Sequence, residues 1–304
     1  MTSTQSQPQP LSSLGVGAPA TPTEFKKSPE FTNGMNKAPR DVAWYQAELN
    51  KVPKTAQEIF KEYSGIPEEE ILDHIHRVRD QAWEILPYPC IGLFRFLDLP
   101  ACLSPVYPEV LSRVRAGETF LDLGCCFGQD IRKLVHDGAS SENIVGVDTE
   151  SRFIDLGYEL FRDSGKLKAQ FRVGDVFAPD FLEEFWGKID IIFIGSFLHL
   201  FSFEQQTVIV SQLLKLLRNR KNSLVFGRHM AMEQGGTLRT NACGWSLYHH
   251  SDKTIRELWD TAPEGKWEVA SNMVEYRSEG WDNGVKWQGS NEVKQQYFSA
   301  RRLS

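Results

Sequence analysis

The stretch Phe120–Asp130, FLDLGCCFGQD, limits what this chain can fold into more than any other. A hydrophobic run ends in Asp122, and the small-residue turn Gly124-Cys125-Cys126-Phe127-Gly128 opens onto a helical pattern. Strand, tight turn and helix in succession put the turn at the carboxyl edge of a sheet, where doubly wound folds bind nucleotide-like ligands. Glycine lets the backbone turn sharply there and come close to a ligand. A dinucleotide fingerprint, G-x-G-x-x-G, needs glycines where Cys126 and Gln129 stand, which disfavours a pyrophosphate ligand.

Downstream, strand-like and helical runs alternate. Strands are predicted at Thr119–Leu123, Ile144–Asp148, Phe171–Gly174, Ile189–Ile194 and Ser223–Phe226. Helices are predicted at Gln129–His136, Phe153–Arg162, Phe181–Trp186 and Glu204–Leu217, the last opened by the capping box Ser202-x-x-Gln205. Short apolar strands separated by helices predict a parallel, doubly wound sheet. After a long loop, Ser251 caps a helix whose Ile255, Leu258, Trp259 and Ala262 share a face, and strand-like segments near Trp267–Tyr276 and Glu292–Arg301 follow.

The first part of the chain reads differently. Residues 1–40 hold six of the fifteen prolines and almost no large apolar side chains, so they are expected to be a disordered tail. Residues 41–117 are expected to form an N-terminal helical cap over a 118–304 core. Within the cap, Pro67 and three glutamates open a helix whose Ile71, Ile75, Val78, Ala82 and Ile85 share one face. That helix stops before Pro87 and Pro89, and an aromatic stretch, Tyr88–Leu99, comes next. The formal charge of -6, with 34 basic and 40 acidic residues, disfavours nucleic acid as a partner. No apolar run approaches the ~20 residues of a membrane span, and neither C-x-x-C nor His spacing suggests a metal site. The expected setting is cytoplasmic, with the five cysteines free.

S-adenosylmethionine has no phosphate but carries an ammonium, which Asp122 can accept. At this point the residues resemble the class I S-adenosylmethionine-dependent methyltransferases, whose first motif is an acid followed by G-x-G-x-G. Gly124 and Gly128 match, and Cys126 stands where the middle glycine usually is. The resemblance implies a Rossmann-like, doubly wound seven-stranded sheet with S-adenosylmethionine as cofactor. It implies a cofactor site of Asp122, Gly124, Cys125 and Gly128, with Asp148 and Thr149 at the ribose, Asp175 and Val176 at the adenine, and Ser196 and Phe197 after the fourth strand. PYPCIGLFRFLDL together with FLDLGCCFGQDIRKL is similar to fungal methyltransferases of meroterpenoid pathways, such as austinol biosynthesis. That similarity implies methyl-ester formation on a small-molecule carboxylic acid, and a homodimer.

Each residue keeps a plainer reading as well. Asp122 is also a turn carboxylate, Asp148 a helix N-cap, and Asp175 ordinary Gly-Asp turn chemistry. Cys125 and Cys126 read as small buried hydrophobes. His199 is either a general base or a hydrogen-bonded residue that shapes the pocket. His229 and the His249-His250 pair are weaker candidates for the same part. Tyr88, His199, Arg228, Trp245 and His249 are the expected acceptor contacts, with Arg228 or Arg239 steering a carboxylate. A carboxylate is already ionised at neutral pH, so no catalytic side chain is required. The alternatives are a phenol or alcohol O-methyltransferase using a histidine base, and a non-catalytic methyltransferase-like regulatory protein.

Overall fold

The computed structural model describes residues 40–42, 44–239, 246–275 and 293–304. Expectations for residues 1–39 and for Trp245 lie outside the described residues.

Helix α1 (Lys54–Glu58) runs into a π-helical turn, Ile59–Tyr63. Helix α2 (Glu68–Ile85) starts at Pro67 with Glu68, Glu69 and Glu70 in its first turn, where acids suit the helix dipole. It stops at an extended Leu86, because the residue before a proline disfavours the helical region. The short α3 (Pro89–Gly92) and α4 (Tyr107–Arg115) complete this part.

The core then alternates β1 (Phe120–Leu123), α5 (Gln129–His136), β2 (Ile144–Asp148), α6 (Ser151–Phe161), β3 (Gln170–Val173), β4 (Ile191–Gly195), α7 (Phe203–Leu216) and β5 (Leu224–Met232). There follow β6 (Gly236–Arg239), β7 (Ser246–His249), α8 (Asp252–Asp260), β8 (Trp267–Glu275) and β9 (Val293–Arg302). Seven strands form one sheet in the order β3-β2-β1-β4-β5-β9-β8, parallel except where β9 pairs antiparallel with β5 and β8. The order reverses beside β1, so the ligand crevice lies outside the carboxyl ends of β1 and β4.

Two expectations are corrected. Phe181–Trp186 forms only a single 3-10 turn, Glu183–Phe185, between Pro179 and Gly187. Trp186 holds that turn by donating its ring N–H to the Phe181 carbonyl. The long loop after β5 contains an antiparallel hairpin, β6–β7, and β5 itself runs on to Met232.

Three apolar clusters hold the layers together. One lies under α7 and α8 and takes Leu121, Val145, Ile192 and Val225 from the sheet. A second lies on the opposite face, where Val110 and Val114 of α4 and Ile131 and Leu134 of α5 meet Phe120, Phe193 and Phe226. The third joins α2 (Ile75, Val78, Trp83) to α6 (Phe153, Leu156, Leu160, Phe161) and to Phe127 of the first turn. Helix α2 therefore packs on α6 rather than directly on the sheet. Polar contacts tie the same seam: Arg132 donates twice to Asp163, at 2.9 Å each, and the Tyr63 hydroxyl donates to Asp163 at 2.7 Å.

Candidate active site

The turn after β1 folds back on β2, with the Gly124 and Cys125 N–H groups both donating to the Val147 carbonyl at 2.8 and 2.9 Å. Gly124, Cys126 and Gly128 all take left-handed backbone angles, with φ of 75°, 52° and 63°. Cysteine in the middle position thus adopts the conformation that glycine adopts freely, at a strain of about 1–3 kcal/mol. Its N–H donates to Asp148 Oδ2 at 2.9 Å, which offsets part of that strain. Gly124 has a second reason to be glycine: a Cβ there would sit 2.7 Å from the Phe197 ring, which lies against the turn.

Asp122 is 2% exposed, and its Oδ2 is buried without a partner. Burial pushes this carboxyl well above its ordinary range, and the nearby charges of Asp130 and Asp148 push the same way. Asp148 at the end of β2 accepts from Cys126 N–H through one oxygen and from Glu150 N–H, at 3.0 Å, through the other. Burial raises its carboxyl, and N–H donation from Glu150, Cys126 and Thr149 pulls it back. Asp148 is not the N-cap of α6; Glu150 is, accepting from Arg152 N–H. The three donors to Asp148 use three of the roughly four lone pairs of the carboxylate and leave one for a sugar hydroxyl. Asp175 does turn chemistry, since its Oδ1 accepts from Phe177 N–H at 2.9 Å. Thr149 is exposed beside Asp148, whereas the Cys125 and Val176 side chains are core. Only the backbone of those two can face the crevice.

The other half of the crevice belongs to β4, β5 and the hairpin. Ser196 ends β4 in a left-handed conformation (φ 53°), and its N–H donates to the Arg228 carbonyl at 2.6 Å. His199 lies beyond it, with its ring 6.1 Å from that of His249. Burial holds the His199 imidazole well below its ordinary range, and His249, His229 and Arg228 lower it further. Burial likewise pushes His249 down to about 4. Arg228 is 4% exposed and donates to Asp98 Oδ2 at 3.2 Å, an oxygen that also takes Arg95 at 2.8 Å. Tyr297 on β9 adds a hydrogen bond to the same guanidinium.

Of the expected acceptor residues, His199, Arg228 and His249 come together. Tyr88 does not. It lies at the other end of the crevice, its ring 6.4 Å from that of Phe153 and within range of the charges of Asp148 and Glu150. Asp98 was missed. Its signal was Arg95 and Asp98 three residues apart inside an aromatic run, where charges need a buried partner. A recess lined by Glu109, Arg113, Glu118, Arg220, Lys221 and Asn222 lies near the opposite edge of the sheet. Ion pairs of Glu118 with Arg113 and Arg220 fill its chemistry.

The geometry fits S-adenosylmethionine: an unpartnered buried carboxylate oxygen for an ammonium, a strand-end acid for a sugar hydroxyl, and a left-handed turn that admits close approach. Among the described residues no group of His, Cys, Asp or Glu is arranged to hold a metal ion. No helix among them is long and apolar enough to cross a membrane.

Residues 44–97 match the family described as the meroterpenoid methyltransferase N-terminal domain, and residues 120–220 match a methyltransferase domain family. The chain is 39% identical over 256 residues to O-methyltransferase atr3 of Stereocaulon alpinum, covering 82% of this chain and 73% of that protein. It is 40% identical to O-methyltransferase phiE of a fungal species, covering 78% and 81%. It is 36% identical to asnovolin E/chermesin D methyltransferase nvfJ of Aspergillus novofumigatus, covering 88% and 93%. In fold it is similar to phosphoethanolamine N-methyltransferase 2 of Haemonchus contortus, with TM-score 0.50 and 12% identity over 74% of this chain and 61% of that one.

Sheet order, turn and strand-end acids define the class: an S-adenosylmethionine-dependent methyltransferase on a Rossmann-like seven-stranded sheet. More narrowly, the chain belongs to the fungal meroterpenoid methyltransferase family, and is an S-adenosylmethionine-dependent O-methyltransferase.

Proposed function

We propose that this enzyme converts the carboxylate of a small lipophilic secondary metabolite of the meroterpenoid type into its methyl ester. One observation carries the choice of carboxylate over hydroxyl. The buried guanidinium of Arg228, held by Asp98 Oδ2 at 3.2 Å, offers an anion a charged partner, and burial lowers the imidazole of His199 well below its ordinary range. A phenol or alcohol must lose its proton as the carbon–oxygen bond forms, and the base that takes it works best with a pKa near the working pH. An imidazole lowered in this way is poorly matched to that work. A carboxylate arrives ionised and is drawn to a cation.

In this reading Asp148 takes a ribose hydroxyl and the free oxygen of Asp122 the α-ammonium. Asp175 takes the adenine amino group, with Gly124, Gly128, Ser196 and Phe197 lining the space between. The bound cofactor supplies an electrophilic methyl group on sulfur. The protein's own part is placement and exclusion of water, and alignment of the reacting atoms contributes about 7–11 kcal/mol. Arg228, pinned by Asp98 and Tyr297, aims the acceptor's charge, and His199 gives polar contact without exchanging a proton. Residues 41–117 serve as a cap over the cofactor end, with Tyr88 within range of the charge of Asp148. The relative nvfJ, whose name gives asnovolin E and chermesin D, supports an acceptor of this class.

The test is His199→Gln, assayed on prenylated aromatic acids and phenols with mass detection of the added methyl group. We expect the acids to be methylated, a loss within about tenfold, and a rate that is flat from about pH 6.5 to 8.5 around the ordinary imidazole range. A thousandfold loss, with a wild-type rate that rises through one pKa near neutrality, makes His199 the base and the acceptor a hydroxyl.

A further inference from the structure

Among the described residues, three carboxylates and two guanidiniums gather where the first part of the chain meets the carboxyl ends of β1 and β5. Arg95 and Asp98 come from the turn after α3, Asp122 from β1, Asp130 from the first turn of α5 and Arg228 from β5. Each of the three carboxylate side chains is buried. The chain from Asp98 to Ala101 ties them together. Asp98 Oδ2 takes Arg95 at 2.8 Å and Arg228 at 3.2 Å, and three residues on, Ala101 donates its N–H to Asp130 Oδ1 at 2.8 Å. Asp130 thus sits beside the Asp98–Arg228 pair, and the charges of both act on it. Its own charge acts in turn on Asp122.

The oxygens of these acids are met unequally. Asp122 Oδ2 is buried without a partner, and Asp130 Oδ2 is approached by the Gln129 amide only at 3.5 Å. The other ionisable groups close by do not change the count of charges. Asp148 is served by three N–H donors, and the Cys125 thiol, raised by burial, stays neutral. His199 is neutral as well, and Tyr297 is a hydrogen-bond partner of Arg228. Three acids against two arginines leave one negative charge in excess, and a buried charge without a partner neutralises by taking a proton. Burial raises both Asp122 and Asp130, and the like charge of Asp130 raises Asp122 further. A cation arriving at the bare oxygen would fill the same deficit.

We infer that Asp130 is a second carboxylate for the α-ammonium of the cofactor: with Asp122 it holds one proton in the free enzyme, and the ammonium displaces that proton to solvent on binding. This rests on the reading that Asp122 takes the ammonium, and adds its partner and the proton exchanged. Binding then releases a proton, so affinity rises with pH where the free pair titrates, by at most about tenfold per pH unit.

The experiment is calorimetry of S-adenosylhomocysteine at about pH 6, in buffers of different ionisation enthalpy, so that the heat counts protons released. The comparison ligand is the deaminated analogue, with hydrogen in place of the α-ammonium. The comparison variant is Asp130→Asn, whose side-chain oxygen can still accept from Ala101 N–H. Wild type should release close to one proton with S-adenosylhomocysteine and none with the analogue. The variant should release none, hold an affinity that is flat from about pH 5.5 to 7.5, and bind at least about tenfold more weakly than wild type at the upper end. No proton released in wild type, or the same release from the analogue or the variant, overturns the inference and leaves Asp122 as the ammonium's acid. An analogue that binds wild type as tightly as S-adenosylhomocysteine removes the ammonium site, and the inference with it. A second measurement needs no variant. Infrared difference spectra of wild type should show a protonated carboxyl lost as S-adenosylhomocysteine binds; a spectrum without that loss overturns the exchange.

Discussion

Along the carboxyl edge of one sheet, β1 and β2 present carboxylates, while β4, β5 and the hairpin present imidazoles and a guanidinium. The carboxylates are organised by backbone. Asp148 is fixed by the N–H groups of Cys126 and Glu150, and the turn after β1 has three left-handed residues. The imidazoles are organised by side chains, through Gln296, Gln206 and Thr254. Backbone geometry suits a ligand that never changes, and side-chain networks can be altered by point substitution, so one edge can keep its cofactor while its acceptor varies.

The contrast can be broken most strongly at Gly124. Gly124→Val places a β-branched side chain at φ 75° and against the Phe197 ring. It should cost about 2–5 kcal/mol by strain and overlap together. Calorimetry should show S-adenosylhomocysteine binding lost by two orders of magnitude or more, whereas Cys126→Gly, which relieves a left-handed side chain, should keep it. Tight binding by the valine variant would mean that the turn is not a backbone device.

A smaller effect is expected from Asp148→Ala. It removes the acceptor of three N–H groups and the proposed ribose contact, and should weaken S-adenosylmethionine by about 1.5–3 kcal/mol. Unchanged affinity would dismiss Asp148 from the cofactor site.

The gentlest test uses pH, because the halves respond with opposite sign. His229 and His249 are pushed down to about 4 from an ordinary 6.5, so between those values the unfolded chain binds more protons and stability is lost as pH falls. Burial raises Asp130 from 3.8 to about 6, so in that window the folded chain binds more protons and stability is lost as pH rises. Each slope is at most about 1.4 kcal/mol per pH unit for one proton. Urea midpoints measured from pH 4 to 6.5 should therefore rise more steeply with pH in Asp130→Asn than in wild type, and less steeply in His249→Gln. Slopes that move the same way in both variants would remove the distinction.

Much of the β1–β2 side of the crevice was legible in the chain, because strand, turn and helix there are local and each is signalled by residue type. Gly124, Gly128 and the Ser202–Gln205 capping box are examples, and the box forms as read. The β4–β5 side was less legible because it is assembled from afar. Arg228 meets Asp98 across 130 residues and His229 meets Gln296 across 67, and no spacing rule reaches that distance. Strands β6 and β7 span four residues each, too few to show a period. The expected helix at Phe181–Trp186 failed because Pro179 and Gly187 leave it too short to propagate.

The seam between α2 and α6 bears on how the molecule can move. Phe127, Phe153, Leu160 and Phe161 pack in one cluster with Ile75, Val78 and Trp83 of α2. Returning each to water costs about 1.5–3 kcal/mol, so peeling α2 away would cost about 6–12 kcal/mol for these four side chains, close to the whole stability of a domain. The cap is then no door on a hinge. Helix α2 and the glycine turn are expected to melt as one cooperative unit, which a single calorimetric transition would show.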